Sequence, residues 1–181
     1  ILKKSSKEIF IPIAIGGGIK NINDAKQILN NGADKVIVNT AFVKEPNLIK
    51  KFVNTFGSQS IMLSIQTKKR DKNNWEVFSE SGREKSGKEV ASWISQAEKL
   101  GVGELLITSI DNEGLGTGLD LDLYKKVKKI TNLPIIAGGG FGNFDQLNEI
   151  KKINLSGISI AQLFHYNKET PISVKNKFNE N

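Results

Sequence analysis

The sequence predicts an α/β fold on a parallel sheet, and three observations predict it. Short β-branched runs alternate with amphipathic stretches of helical period. Glycines or helix-capping residues stand at the changeovers. A strand ending in three glycines occurs near both ends of the chain. Repeated strand-helix alternation favours a parallel sheet with right-handed crossovers.

Taken in order, Ile11 to Ile15 reads as a strand ending in Gly16-Gly17-Gly18. A helix follows over Asn23 to Asn30, with Asn21 or Asn23 as N-cap and Gly32 past its end. Lys35 to Asn39 is the second strand. Pro46 opens the next helix, which runs to Phe56 and is closed by Gly57. Ile61 to Gln66 is the third strand. Lys68 to Gly82 reads as a hairpin excursion, turning at Asp71-Lys72-Asn73-Asn74 and returning along Trp75 to Phe78. Glu89 to Leu100 is helical, Glu104 to Ser109 a strand, and Leu121 to Ile130 a helix beyond a glycine-rich loop. Leu133 to Ala137 is a strand ending in Gly138-Gly139-Gly140, and Asp145 to Lys152 is the helix after it. Gly157 to Gln162 is the sixth strand of the alternation, and Ser173 to Phe178 a final helix.

An internal repeat orders these units. Ile11 to Gly18 matches Leu133 to Gly140 at an offset of 122 residues, and the same offset carries Val36 to Val38 onto Ile158 to Ile160. In a closed barrel two such units face each other across the mouth.

Composition narrows the function. Over 181 residues, 38% hydrophobic and 25% charged is the profile of a globular domain. No apolar run approaches the roughly 18 residues of a membrane span, and Ile1-Leu2-Lys3-Lys4 lacks a signal-peptide core, so a cytoplasmic location is expected. Cysteine is absent, excluding disulfides and thiolate metal sites; with His165 the only histidine, neither zinc nor any cofactor is expected. The net charge of +7 comes chiefly from scattered lysines, without the clustered basic stripe and stacking aromatics of a nucleic-acid binder. The first residue is Ile1 and the one methionine is Met62, so an incomplete chain is expected.

In a parallel α/β barrel, ligands sit at the C-terminal ends of the strands, with phosphate on glycine-rich loops. Consecutive glycines let backbone N–H groups approach an anion. Gly17 and Gly18 in one turn, Gly139 and Gly140 in the other, suggest a phosphate at each end of one substrate; as turns alone they need no ligand. Strand parity places Asn39, Gln66 and Thr108 at this mouth, and Lys35 and Glu104 on the same inward face at the opposite pole, within reach of each other. The loop Asp111 to Gly118 offers the carboxylates Asp111 and Glu113 beside Gly114.

These stretches together resemble the cyclase subunit family of imidazole-glycerol-phosphate synthase, from histidine biosynthesis. The matching segments are IPIAIGGGI at 11–19, GADKVIVNTAFVKEPNLI at 32–49, FGSQSIMLSI at 56–65, GVGELLITSIDNEG at 101–114, LPIIAGGG at 133–140 and SIAQLFHY at 159–166. The resemblance implies a (β/α)8 TIM barrel, here cut to about six βα units as a single incomplete domain over 1–181, with the first two units absent. It implies a lyase that closes an imidazole ring on a bisphosphate ribulosyl nucleotide, using ammonia from a glutaminase partner in a heterodimer. One phosphate site would involve Gly18, Asn39 and Thr40; the other Glu113, Gly114, Gly140, Ala161 and Gln162. Lys35 and Glu104 would stand at the ammonia entrance, and Asp34 would face the glutaminase.

Two departures accompany the match. The family uses two aspartates for acid-base work: one aligns ahead of Ile1, and the other aligns with Gln66, whose carboxamide has no proton to exchange near neutral pH. Glu113-Gly114 stands where the family has Asp-Gly. Such changes resemble cyclase-like paralogues that supply ammonia for amidating a surface-polysaccharide sugar, which is the alternative expectation.

Overall fold

A computed structural model describes residues 2–6 and 8–180. Its elements, in chain order, are α1 (Leu2–Ser5), β1 (Ala14–Gly16), α2 (Ile22–Asn30), β2 (Lys35–Val38), α3 (Thr40–Lys44), α4 (Asn47–Phe56), β3 (Ile61–Asp71), β4 (Asn74–Ser79), β5 (Glu84–Glu89), α5 (Val90–Lys99), β6 (Glu104–Ser109), α6 (Leu121–Lys128), β7 (Ile135–Gly138), α7 (Leu147–Ile153), β8 (Gly157–Ile158), α8 (Gln162–His165) and α9 (Pro171–Glu180).

Six strands form one parallel sheet in the order β1-β2-β3-β6-β7-β8, and β4 and β5 hang from β3 as antiparallel additions. The sheet is an open arc: six βα units in the arrangement of a (β/α)8 barrel, with no pairing between β1 and β8 among the described residues.

Burial alternates along the arc. Val36, Val38, Leu63, Ile65, Leu105, Ile107, Ile135 and Ala137 are buried against the helices. There they join Ile49 and Phe52 of α4, Trp93 and Ile94 of α5, and Leu123 and Val127 of α6. The intervening positions Lys35, Ile37, Ser64, Gln66, Leu106 and Thr108 are only half-buried and share the concave face. The core is therefore the layer between sheet and helices.

The repeat is carried into the hydrogen bonding. Ala14 pairs with Lys35 and Ile15 with Val36 in one half; Ile136 pairs with Gly157 and Ala137 with Ile158 in the other. Each of these residues maps onto its counterpart at the same offset of 122. The match continues through α3 and α8, which start at Thr40 and Gln162.

The helix boundaries follow their caps. Asn21 caps α2: its Oδ1 accepts the Asp24 N–H, and the Asp24 carboxylate accepts the Asn21 N–H in return. Pro46 precedes α4, and Gly57 ends it with φ 81°. Glu89 caps α5 by accepting the Ser92 N–H at 3.0 Å.

Several boundaries differ from the sequence expectation. β3 runs on to Asp71, because its outer half is the first arm of the expected hairpin. A third antiparallel strand, β5, lies where none was expected; Glu84–Glu89 carries no apolar side chain, so periodicity gives no signal there. The sixth parallel strand stops at Ile158 instead of Gln162, since Gln162 already opens α8. The one-turn helices α3 and α8 are too short to show a period. β4 is buried on both faces from Trp75 onward, including Glu76, whose carboxylate is met by Arg70 Nε at 2.9 Å and the Gly87 N–H at 3.0 Å.

Candidate functional site

The C-terminal ends of the parallel strands form a mouth centred on Gln66. Adjacent registers pair Gln66 with Thr108 and Thr108 with Gly138, so these three residues of neighbouring strands stand level. On the other side Asn39, at the end of β2, donates from Nδ2 to Gln66 Oε1 and to the Phe78 carbonyl, both at 3.1 Å. Gln66 is thereby held by its neighbour across the sheet.

Two cavities flank Gln66, and both include it. One, of about 910 Å³, is lined by Gly17, Gly18, Asn39, Thr40 and Lys44 among others. The second, of about 520 Å³, is lined by Thr108, Glu113, Gly114, Gly139, Gly140, Ala161 and Gln162. Ser81, at the turn between β4 and β5, also lines both. The two glycine turns thus stand on opposite sides of one central residue.

The turns differ in what their glycines do. Gly17 and Gly18 have φ of 105° and 71°, and a Cβ on either would meet nothing within 4 Å. Conformation requires glycine there, and the space above the backbone is open to a ligand. Gly139 and Gly140 also have left-handed φ, but a Cβ would stand 2.4 Å from the Ser109 carbonyl oxygen and 2.4 Å from that of Gly118, respectively. Close backbone packing already explains that pair. The Gly140 carbonyl also accepts the Gly118 N–H at 2.8 Å.

Each cavity also takes in the start of a short helix without a side-chain cap, one strand further along the chain than its glycine turn. Asn39 before α3 and Ala161 before α8 make no capping hydrogen bond. Their first-turn amides are therefore donors that an anion at the mouth can use. Below the second turn Tyr124 is fully buried, its hydroxyl 2.6 Å from the Gly138 carbonyl and 2.9 Å from that of Ile107. Burial pushes its phenol well above the usual range, so it remains neutral and pins α6 under the Gly138 turn.

Not every expected site residue reaches the mouth cavities. Asp111 turns away: its carboxylate accepts the Lys69 N–H at 2.7 Å and lines a separate cleft with Asp120 and Asp122. Glu113 and Gly114 from the same loop do line the second cavity. Lys35 and Glu104 form a hydrogen-bonded ion pair at the far pole, across the intervening β3. Asp34 is exposed at the same pole and accepts the Ile13 N–H at 2.7 Å. Ser81, Phe141, Ser159, His165 and Tyr166 line the mouth without having been singled out as site residues. For His165 and Tyr166 the signal was available, since both follow the last strand at its mouth end.

Comparison with known proteins completes the picture. The family model described as "Histidine biosynthesis protein" matches residues 1–170. The chain belongs to this family. Among curated relatives it is 43% identical over 182 residues to the imidazole glycerol phosphate synthase subunit HisF of Clostridium botulinum (strain Okra / Type B1), covering 99% of this chain and 72% of that one. The subunit of the same name from Legionella pneumophila is 46% identical over 148 residues, covering 82% and 70%. That from Dictyoglomus thermophilum is 39% identical over 180 residues, covering 99% and 71%. Family membership thus rests on nearly the whole chain, both glycine turns included.

Proposed function

We propose that the chain acts as the cyclase subunit of imidazole glycerol phosphate synthase in histidine biosynthesis, closing the imidazole ring on a bisphosphorylated ribulosyl nucleotide with ammonia from a glutaminase partner. The observation that carries the substrate class is that the two cavities on opposite sides of Gln66 each combine one of the repeated glycine turns with the uncapped start of a short helix, α3 in one and α8 in the other. One phosphate binds at Gly17, Gly18, Asn39 and Thr40, the other at Glu113, Gly114, Gly139, Gly140, Ala161 and Gln162. Thr108 lies between them beside Gln66. Ammonia enters at the far pole past Lys35 and Glu104, with Asp34 facing the partner.

A second reading is favoured by Gln66 itself. A carboxamide orients a ligand by hydrogen bonding but does not carry a proton at neutral pH. The Asn39 Nδ2 donor already satisfies its oxygen at 3.1 Å. On that reading the barrel is an ammonia conduit for amidation of a surface-polysaccharide sugar, without ring closure.

The two readings separate in a histidine auxotroph lacking the cyclase. Complementation by the gene for this chain, strengthened by Gln66→Asp, supports the cyclase; a restored general acid-base group contributes about 10²- to 10⁴-fold in rate. Failure of both genes, with bisphosphate binding retained by the purified protein, supports the conduit.

A further inference from the structure

The cavity beside the first glycine turn holds charges that the function just proposed leaves without a task. Lys20, Lys44, Glu45 and Glu80 line it together with Gly17, Gly18 and Thr40. Glu45 is already paired with Lys51 at 3.1 Å. Glu80 stands at the tip of the β4–β5 turn, where it and Ser81 have φ of 48° and 58°. Side-chain-bearing residues hold such backbone only where their surroundings enforce it. Two contacts do so. The Glu80 N–H donates to Thr40 Oγ1 at 3.0 Å, and Lys44 Nζ donates to Glu80 Oε1 at 2.6 Å. Lys20 and Arg83 add positive charge around the same carboxylate. One protein anion thus sits among three cations, on the wall of a cavity whose open glycine backbone suits an anion.

We propose that Lys44 is a phosphate-binding cation of the first anion site, and that Glu80 is its stand-in carboxylate, displaced when the ligand's phosphate arrives. This rests on the bisphosphate reading. The exchange is physically easy, because the Lys44 and Glu80 side chains are 60% and 38% exposed and an exposed pair is weakly held. A phosphate monoester carries nearly two charges and three acceptor oxygens against the single charge of Glu80. It therefore competes well for one ammonium.

Calorimetric titration at low salt with a pentose 1,5-bisphosphate tests this on the complete protein that carries this chain, as wild type, Lys44→Met, Glu80→Gln and the double variant. Lys44→Met is expected to weaken binding about three- to tenfold and Glu80→Gln to strengthen it about threefold. The gain from Glu80→Gln is expected to vanish in the Lys44→Met background, because Glu80 acts by occupying Lys44. Equal affinity for all four proteins overturns the assignment of Lys44 and Glu80 while leaving the bisphosphate reading in place. Absence of binding by all four overturns both. Thermal melts accompany each titration; if Lys44→Met melts early, Lys44→Gln replaces it with the same expectation.

Discussion

Gly18 and Gly140 occupy corresponding places in the two halves of the repeat, yet alanine is expected to affect them differently. At Gly18 the only obstacle is the left-handed backbone, which costs a side-chain-bearing residue about 1–2 kcal/mol. Gly18→Ala is therefore expected to fold, with stability lower by about that amount in urea titration, and to lose bisphosphate affinity as its methyl fills the open space. At Gly140 similar strain is joined by a methyl 2.4 Å from the Gly118 carbonyl oxygen. Overpacking adds about 1–3 kcal/mol, so Gly140→Ala is expected to be the more damaging of the two by about that amount. Equal denaturation midpoints would contradict this division of labour. The sequence shows two identical glycine triplets; which triplet faces open space and which faces packed backbone depends on the 109–118 loop, whose path no local pattern encodes.

Among the elements, the antiparallel β4–β5 excursion and the cap of α5 meet at Glu89. Its carboxylate accepts the Ser92 N–H and pairs with Lys126 at 2.9 Å, joining α5 to α6. Partial burial pulls its pKa upward, but the Lys126 and Ser92 hydrogen bonds outweigh that and hold it below the usual carboxylate range. A carboxylate held low in the folded state contributes stability that is fully present above the unfolded pKa. That contribution is lost as pH falls through the lower, folded value. Glu89→Gln is expected to cost about 1 kcal/mol at neutral pH and progressively less in acid, measured as the wild-type minus variant difference in denaturation midpoint from pH 7 to pH 3. A difference that grows on acidification would refute this. The helical face of α5 and the caps of α2 and α4 were legible from periodicity and residue type. β5 was not, because Glu84–Glu89 is polar throughout and is a strand only by pairing with β4.

At the scale of the molecule, the arc leaves β1 and β8 at its two edges. Phe10 and Ile11, just before β1, are 94% and 70% exposed. Beside β8 an apolar cleft opens between α7 and α9, lined by Ile150, Ile158, Phe164 and Phe178. Unpaired strand edges beside exposed apolar surface favour association. These 181 residues expressed alone are expected to self-associate at micromolar concentration in sedimentation velocity; a single monomeric species with a cooperative melt would contradict that. Among the described residues no helix is long and apolar enough to cross a membrane.

The sequence by itself determined the alternation of strands and helices, the duplicated unit with its constant offset, the inward parity of Lys35, Gln66, Glu104 and Thr108, and the family. All of these are written in local pattern or in residue order. Only the tertiary structure decided that Asp111 leaves the mouth, that Asn39 holds Gln66, and that a strained polar turn brings Glu80 to Lys44. Those contacts join residues some 27 to 42 positions apart in the chain. Their geometry is set by how strands stack side by side, which periodicity along one segment does not contain.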